Sequence, residues 1–149
     1  MYQDTFTALP DPVRQPEFYD SVPVKRGIAW AIDFVLIMLL VVPAVVLTAF
    51  IGLFFLPVLF AVVGFVYRVA TIAGGSATWG MRLMAIELRD AAGRRLDFGQ
   101  ALLHTAGYTL SIAIAPLQLI SVVLMLVTER GQGLTDMVLG TTALNRRAP

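Results

Sequence analysis

Few residues in this chain are of types that do chemistry, and one stands apart: Asp33, a carboxylate inside the apolar run from Gly27 to Val66. It is the only acidic residue between Asp20 and Glu87. An ionisable side chain in a membrane segment costs on the order of 3 kcal/mol on insertion scales, so it marks an ion pathway or is held by a partner. Two chemistries follow. Asp33 either carries a cation or proton across the membrane, or accepts hydrogen bonds that tie helices together. Arg26 lies on the same helix face but about 10 Å away along the axis. Side chains meet within a helix at three- or four-residue spacing, so Asp33 needs a partner from another element.

Folding the apolar run back on itself near Ile51 brings Asp33 level with Val69 and Ala70. Tyr67 and Arg68 then become its nearest polar neighbours, Tyr67 as a hydrogen-bond donor and Arg68 as a neutralising charge. His104 and Tyr108, on one face of a third apolar segment, are further groups expected to converge there. In the structural alternative, Asp33 locks two helices while Arg26 and Arg68 extend along their stems to lipid headgroups. Other chemistries are excluded. The chain has no Cys, hence no disulfide, thiolate nucleophile or Cys-ligated metal. It has no metal-ligand spacing, nucleophile elbow or phosphate loop, so no enzymatic activity, metal or cofactor is expected. A net charge of +1 gives no basis for a nucleic-acid partner.

The elements that must position these groups are membrane helices. The chain of 149 residues is 58% hydrophobic and 14% charged, with mean hydropathy +0.79, against about 45–50% and about 25% for soluble domains. The run from Gly27 to Val66 is too long for one span, which predicts a hairpin with helices from about Gly27 to Ala49 and Leu53 to Ile72, turning near Ile51 and Gly52. One span plus a re-entrant piece is the alternative. After the turn-rich link Gly74 to Gly80, the alternation of Met84, Ile86 and Leu88 predicts a strand, with Asp90 to Gly93 turning it back. A helix with Trp79, Leu83 and Ile86 on one face competes. Phe98 to Val127 is expected to break at Pro116. A short helix from Leu134 and a strand over Thr141 to Leu144, pairing with Leu83 to Arg89, close the chain.

The eleven Lys and Arg residues fall in three segments, and neither the Ile51 turn nor the Pro116 region carries any. The positive-inside bias puts all three segments in the cytoplasm, which requires a hairpin at Pro116. The expected fold is an all-α membrane protein, a small bundle of about four membrane helices in two hairpins, with a short cytoplasmic β element. A single tilted helix over Phe98 to Val127, with an external C-terminus, is the alternative topology. Residues 1–24 form an expected flexible, Pro-rich leader without the pattern of a signal peptide. Residues 25–145 form the membrane domain and residues 146–149 a basic tail.

Arg26 at the start of the first membrane helix, Asp33 within it, Ser76-Ala77-Thr78-Trp79-Gly80-Met81-Arg82 after the second, and Arg130-Gly131-Gln132-Gly133-Leu134-Thr135-Asp136 with Gly140-Thr141 in the tail occur in an order that resembles the RDD family of bacterial membrane proteins. The resemblance spans Val24 to Leu144. It makes Arg26, Asp33 and Asp136 the signature residues, with Thr78, Gly80 and Arg82 in support beside Tyr67, Arg68 and His104. Members of the family often carry a basic residue where Met81 stands and a His where Thr135 stands. The resemblance implies a protein of the bacterial inner membrane, and the placement of the basic residues makes it multi-pass with a cytoplasmic N-terminus. The resemblance also implies transport, with a cation or small ligand as the species moved and Asp33 as the intramembrane site. A non-transporting scaffold or assembly partner is the competing expectation. Four short helices enclose little room, so the expected partners are the bilayer and either further copies of the chain or another membrane protein.

Overall fold

The computed structural model describes residues 8–146; the first seven residues of the leader and residues 147–149 of the basic tail lie outside the described residues. The molecule is mostly helical with one small sheet. In order, the elements are α1 (Val22–Leu47), α2 (Leu56–Gly75), α3 (Trp79–Leu83), β1 (Ile86–Arg89), α4 (Phe98–Ala113), α5 (Ala115–Val127), α6 (Leu134–Leu139) and β2 (Thr142–Asn145), with 3-10 turns at Pro16–Phe18 and Ile51–Phe55. Leader residues dock on the sheet end, where the Asn145 Nδ2 donates to the Glu17 and Asp20 carbonyls.

α1 and α2 form because a long apolar segment must satisfy its backbone internally, and the helix does so within the segment. Pro23 and Pro57 stand in the first turns of these helices, where the missing N–H strands no intrahelical bond. Between them the chain reverses through Ala49 and Phe50, both at positive φ. Gly52 follows because a Cβ there would lie 2.8 Å from Thr48 Oγ1 and 2.9 Å from Leu59 Cδ2. Along α1 the buried positions Ala29, Asp33, Ile37, Val41 and Val45 recur every fourth residue and face the rest of the protein. Outward residues such as Leu39, Leu47, Phe54 and Val58 are exposed, as a lipid-facing surface requires.

The stretches Pro16–Leu47 and Ile51–Gly75 are long and apolar enough to cross a membrane. α4 and α5 fall short of this. Their 16 and 13 residues correspond to about 24 and 20 Å against a hydrocarbon core of about 30 Å. Against the expectation of about four membrane helices, two are long enough to span, or three if the bent pair counts as one span. The expected break is present: α4 and α5 meet at 116° around Ile114, with Pro116 in the first turn of α5. The pair is not one continuous tilted helix. The chain comes back, because β2 pairs antiparallel with β1, from Ile86 opposite Asn145 to Arg89 opposite Thr142.

The expected strand is present as β1, and the competing helix is present in part: α3 holds Trp79 and Leu83 and ends before Ile86, which lies in β1. Thr78 caps α3 by accepting from the Met81 N–H. A core of Val22, Ile72, Ile86, Leu88 and Ala143 fills the space between the sheet and the ends of α1 and α2. α4 starts from a reciprocal cap, in which Asp97 Oδ1 accepts from Gln100 N at 2.8 Å and Gln100 Oε1 accepts from Asp97 N at 3.1 Å. Asp97→Ala is expected to lower the unfolding free energy by about 1 kcal/mol. Denaturation in mixed detergent checks this, and an unchanged midpoint would mean that the cap does not hold the start of α4.

Candidate functional site

The buried stripe of α1 delivers Asp33 into a junction with α2 and α3, where it is 2% exposed. Asp33 Oδ1 accepts from the Tyr67 hydroxyl of α2 at 2.6 Å and from the Gly80 N–H of α3 at 2.9 Å. Asp33 Oδ2 accepts from the Thr78 hydroxyl at 2.6 Å. Gly80 is required by closeness rather than by φ: a Cβ there would overlap the Ala29 carbonyl oxygen and sit 2.8 Å from Asp33 Oδ1. The carboxylate therefore acts as a cap supplied by a different helix, satisfying an N–H at the start of α3 that no intrahelical carbonyl reaches. Three neutral donors surround it.

Asp136, 1% exposed, gathers a second group of donors. Arg26 Nη1 lies 2.5 Å from its Oδ2, and Gly133 N donates to the same oxygen at 3.1 Å. His104 Nε2 lies 3.0 Å from Oδ1, and the Thr141 hydroxyl donates to Oδ1 at 2.8 Å. Burial alone would raise this carboxyl, but the Arg26 charge, with the hydrogen bond and charge of His104, outweighs it and holds the group well below its ordinary value of 3.8. Facing an ionised carboxylate, His104 Nε2 carries the proton, and its buried Nδ1 has no partner. Arg26 also donates to the Gly131 carbonyl at 3.3 Å, so α1, α4, α6 and the approach to β2 meet at one point.

The remaining candidates separate. The Arg82 side chain donates to the Ala77 and Thr71 carbonyls at 3.2 and 2.9 Å, closing the C-terminal end of α2. Arg68 makes no ion pair with Asp33. Its guanidinium carbon lies 3.9 Å from the centre of the Tyr108 ring instead, and the Tyr108 hydroxyl accepts from Trp30 Nε1 at 2.6 Å. His104 and Tyr108 share a face of α4 as expected, but His104 joins Asp136 while Tyr108 joins Arg68. A cavity of about 380 Å³ lies beside both carboxylates, lined by Arg26, Trp30, Asp33, Arg68, His104, Tyr108 and Asp136 among others. Met81 and Thr135, both uncharged, are on its wall. On the other side of Trp30, Arg68 and Tyr108 an apolar groove of about 740 Å³ runs toward Leu56 and Pro57.

Residues 21–140 match the RDD family. The chain belongs to the RDD family. No curated protein and no solved structure matches it. In this RDD protein Arg26 and Asp136 are an ion pair, whereas Asp33 is held by uncharged donors. Sequence reasoning missed the Trp30 to Tyr108 bond and the part of Thr141. Trp30 sits three residues before Asp33, and its only sequence signal was an indole N–H needing a partner inside an apolar segment. Thr141 is expected only as a strand residue and as part of the family pattern, not as a partner of Asp136.

Asp136→Ala and Arg26→Ala are each expected to destabilise by about 3–5 kcal/mol, since breaking a buried pair strands the other charge. The double variant should lose much less than the sum. Additive losses in detergent melting would remove the coupling. Because the folded carboxyl of Asp136 lies below its unfolded value, its stabilisation is present above about pH 4 and is lost as pH falls further. The gap in melting temperature between the parent and Asp136→Asn should therefore narrow below about pH 4, and a gap that widens would contradict the assignment.

Proposed function

We propose that this RDD protein is a non-enzymatic, multi-pass protein of the bacterial cytoplasmic membrane, and that it acts as a membrane scaffold for further copies of itself or another membrane protein. In this reading α4 and α5 form a shallow hairpin that adds two embedded helices to the two that span. The sheet end faces the cytoplasm, in keeping with the placement of the basic residues: Lys25 Nζ reaches Asn145 Oδ1 on β2 at 2.7 Å, and Arg89, Arg94 and Arg95 surround the β1 turn. One observation carries the choice of scaffold over transport. Asp33 is buried and already accepts three hydrogen bonds, from Tyr67, Thr78 and Gly80, so a cation entering there would have to displace donors that hold α1, α2 and α3 together.

The topology is tested by single cysteines in this Cys-free chain. Phe54→Cys is expected to react with an impermeant thiol reagent added outside cells, and Arg94→Cys only after permeabilisation. External labelling of Arg94→Cys would invert the orientation. The role of Asp33 is tested by Asp33→Asn. Asn keeps acceptors for Tyr67 and Gly80 and can donate to Thr78, so a loss of about 1 kcal/mol is expected with the fold retained. In proteoliposomes, parent and variant should show the same background flux of cations and protons. A parental flux that disappears in the folded Asp33→Asn variant would restore the translocation reading, in which Asp33 works from the wall of the adjoining cavity.

A further inference from the structure

The cavity beside the two carboxylates and the apolar groove share a boundary at Arg68, which is 6% exposed and lines both. Among the described residues its guanidinium has no ion pair and donates no hydrogen bond, and its Nε is fully buried without a partner. The other charges around the cavity are spent. Arg26 is taken by Asp136, and Asp33 by three donors. The face of Tyr108 supplies part of what a buried cation needs, but it leaves the N–H groups of Arg68 without acceptors. An arginine fork of this kind matches a phosphate, which can accept two parallel bonds from it.

We propose that Arg68 anchors the headgroup of an anionic phospholipid, its phosphate on the guanidinium and one acyl chain in the groove between α1, α2 and α4. The dimensions fit a lipid better than a soluble anion. From Arg68 to Pro57 the groove follows α2 for about 17 Å, close to the about 15 Å occupied by one leaflet of the hydrocarbon core. Its walls are Phe34, Ile37, Phe60 and Ile112, and Ala61 and Gly64 leave the α2 side open. Arg68 stands seven residues before the end of α2, about 10 Å below the sheet end, so a headgroup held there is drawn inward and its chain runs on past the bilayer midplane toward Pro57. The inference needs α2 to be embedded in the membrane and is independent of the scaffold role.

The test is native mass spectrometry of the full chain in a non-ionic detergent, titrated with phosphatidylglycerol or with phosphatidylcholine of the same chains. The parent is expected to bind phosphatidylglycerol roughly tenfold more tightly, because the choline cation of phosphatidylcholine offsets the phosphate charge that Arg68 would meet. Arg68→Gln should abolish that preference and lower the melting temperature in lipid-free detergent only by the small loss of the Tyr108 contact, because it strands no ion-pair partner. Arg68→Lys, which keeps the charge but not the fork, should retain part of the preference. Ala61→Trp, on the exposed wall of the groove, should weaken both lipids. Retention of the preference by Arg68→Gln, or unchanged phosphatidylglycerol binding by Ala61→Trp, would overturn the proposal. Inorganic phosphate forms the last arm. If it binds with the same dependence on Arg68 and with no effect of Ala61→Trp, the site serves a soluble anion and the lipid assignment fails.

Discussion

The convergence of Tyr67, Thr78 and Gly80 on the Asp33 carboxylate is the constraint on which the rest of the sheet end depends. It seats the first turn of α3 directly against α1, at a distance only a glycine tolerates. α3 in turn fixes where β1 begins, after a reversal at Ala85 with positive φ. β1 then receives β2, and β2 follows α6, which Asp136 ties back to Arg26 on α1. The chain thus closes a ring through two carboxylates, one near each end of the circuit. In a low-dielectric surrounding each of these bonds is stronger than its counterpart in water, and each would be costly to leave unmade.

The two carboxylates are stabilised by different means. Asp136 has Arg26 in contact, so its charge is met by charge, and His104 adds a hydrogen bond. Asp33 has two hydroxyls and one backbone N–H, which orient dipoles toward it without cancelling it. Arg68, one residue after Tyr67, could have supplied the missing charge, yet its side chain turns to Tyr108 and the boundary between cavity and groove. The consequence is a division of labour along a single turn of α2. Tyr67 closes the structural junction, and Arg68 faces the cavity and the groove.

Much of this arrangement was legible in the residues. The length of the apolar run and the position of Ile51 gave the hairpin, and the level of Asp33 against α2 picked out Tyr67. Alternation from Met84 to Arg89 and over Thr141 to Leu144 gave the two strands and their pairing, and Pro116 gave the break between α4 and α5. What stayed hidden depends on side-chain direction and on contacts distant in sequence. Tyr67 and Arg68 are adjacent, so helical level alone cannot say which one turns toward Asp33 and which away. Helix α3 was only the competing reading because Gly80 lowers local propensity, while the cap that rescues it comes from Asp33, 47 residues earlier. The pairing of Arg26 with Asp136 spans 110 residues, and only the family pattern placed the two together.

The central claim is that Asp33 serves as a shared acceptor joining three elements. A double-mutant cycle between Tyr67→Phe and Thr78→Val, measured by equilibrium unfolding in detergent with and without Asp33→Ala, addresses it most directly. With Asp33 present, each single variant should lose about 1.5–3 kcal/mol, the range for a hydrogen bond to a charged group. With Asp33 replaced by Ala, both losses should shrink to a small fraction of that. Losses of full size that persist in the Asp33→Ala background would show that Tyr67 and Thr78 stabilise the protein without the carboxylate, and would contradict the account.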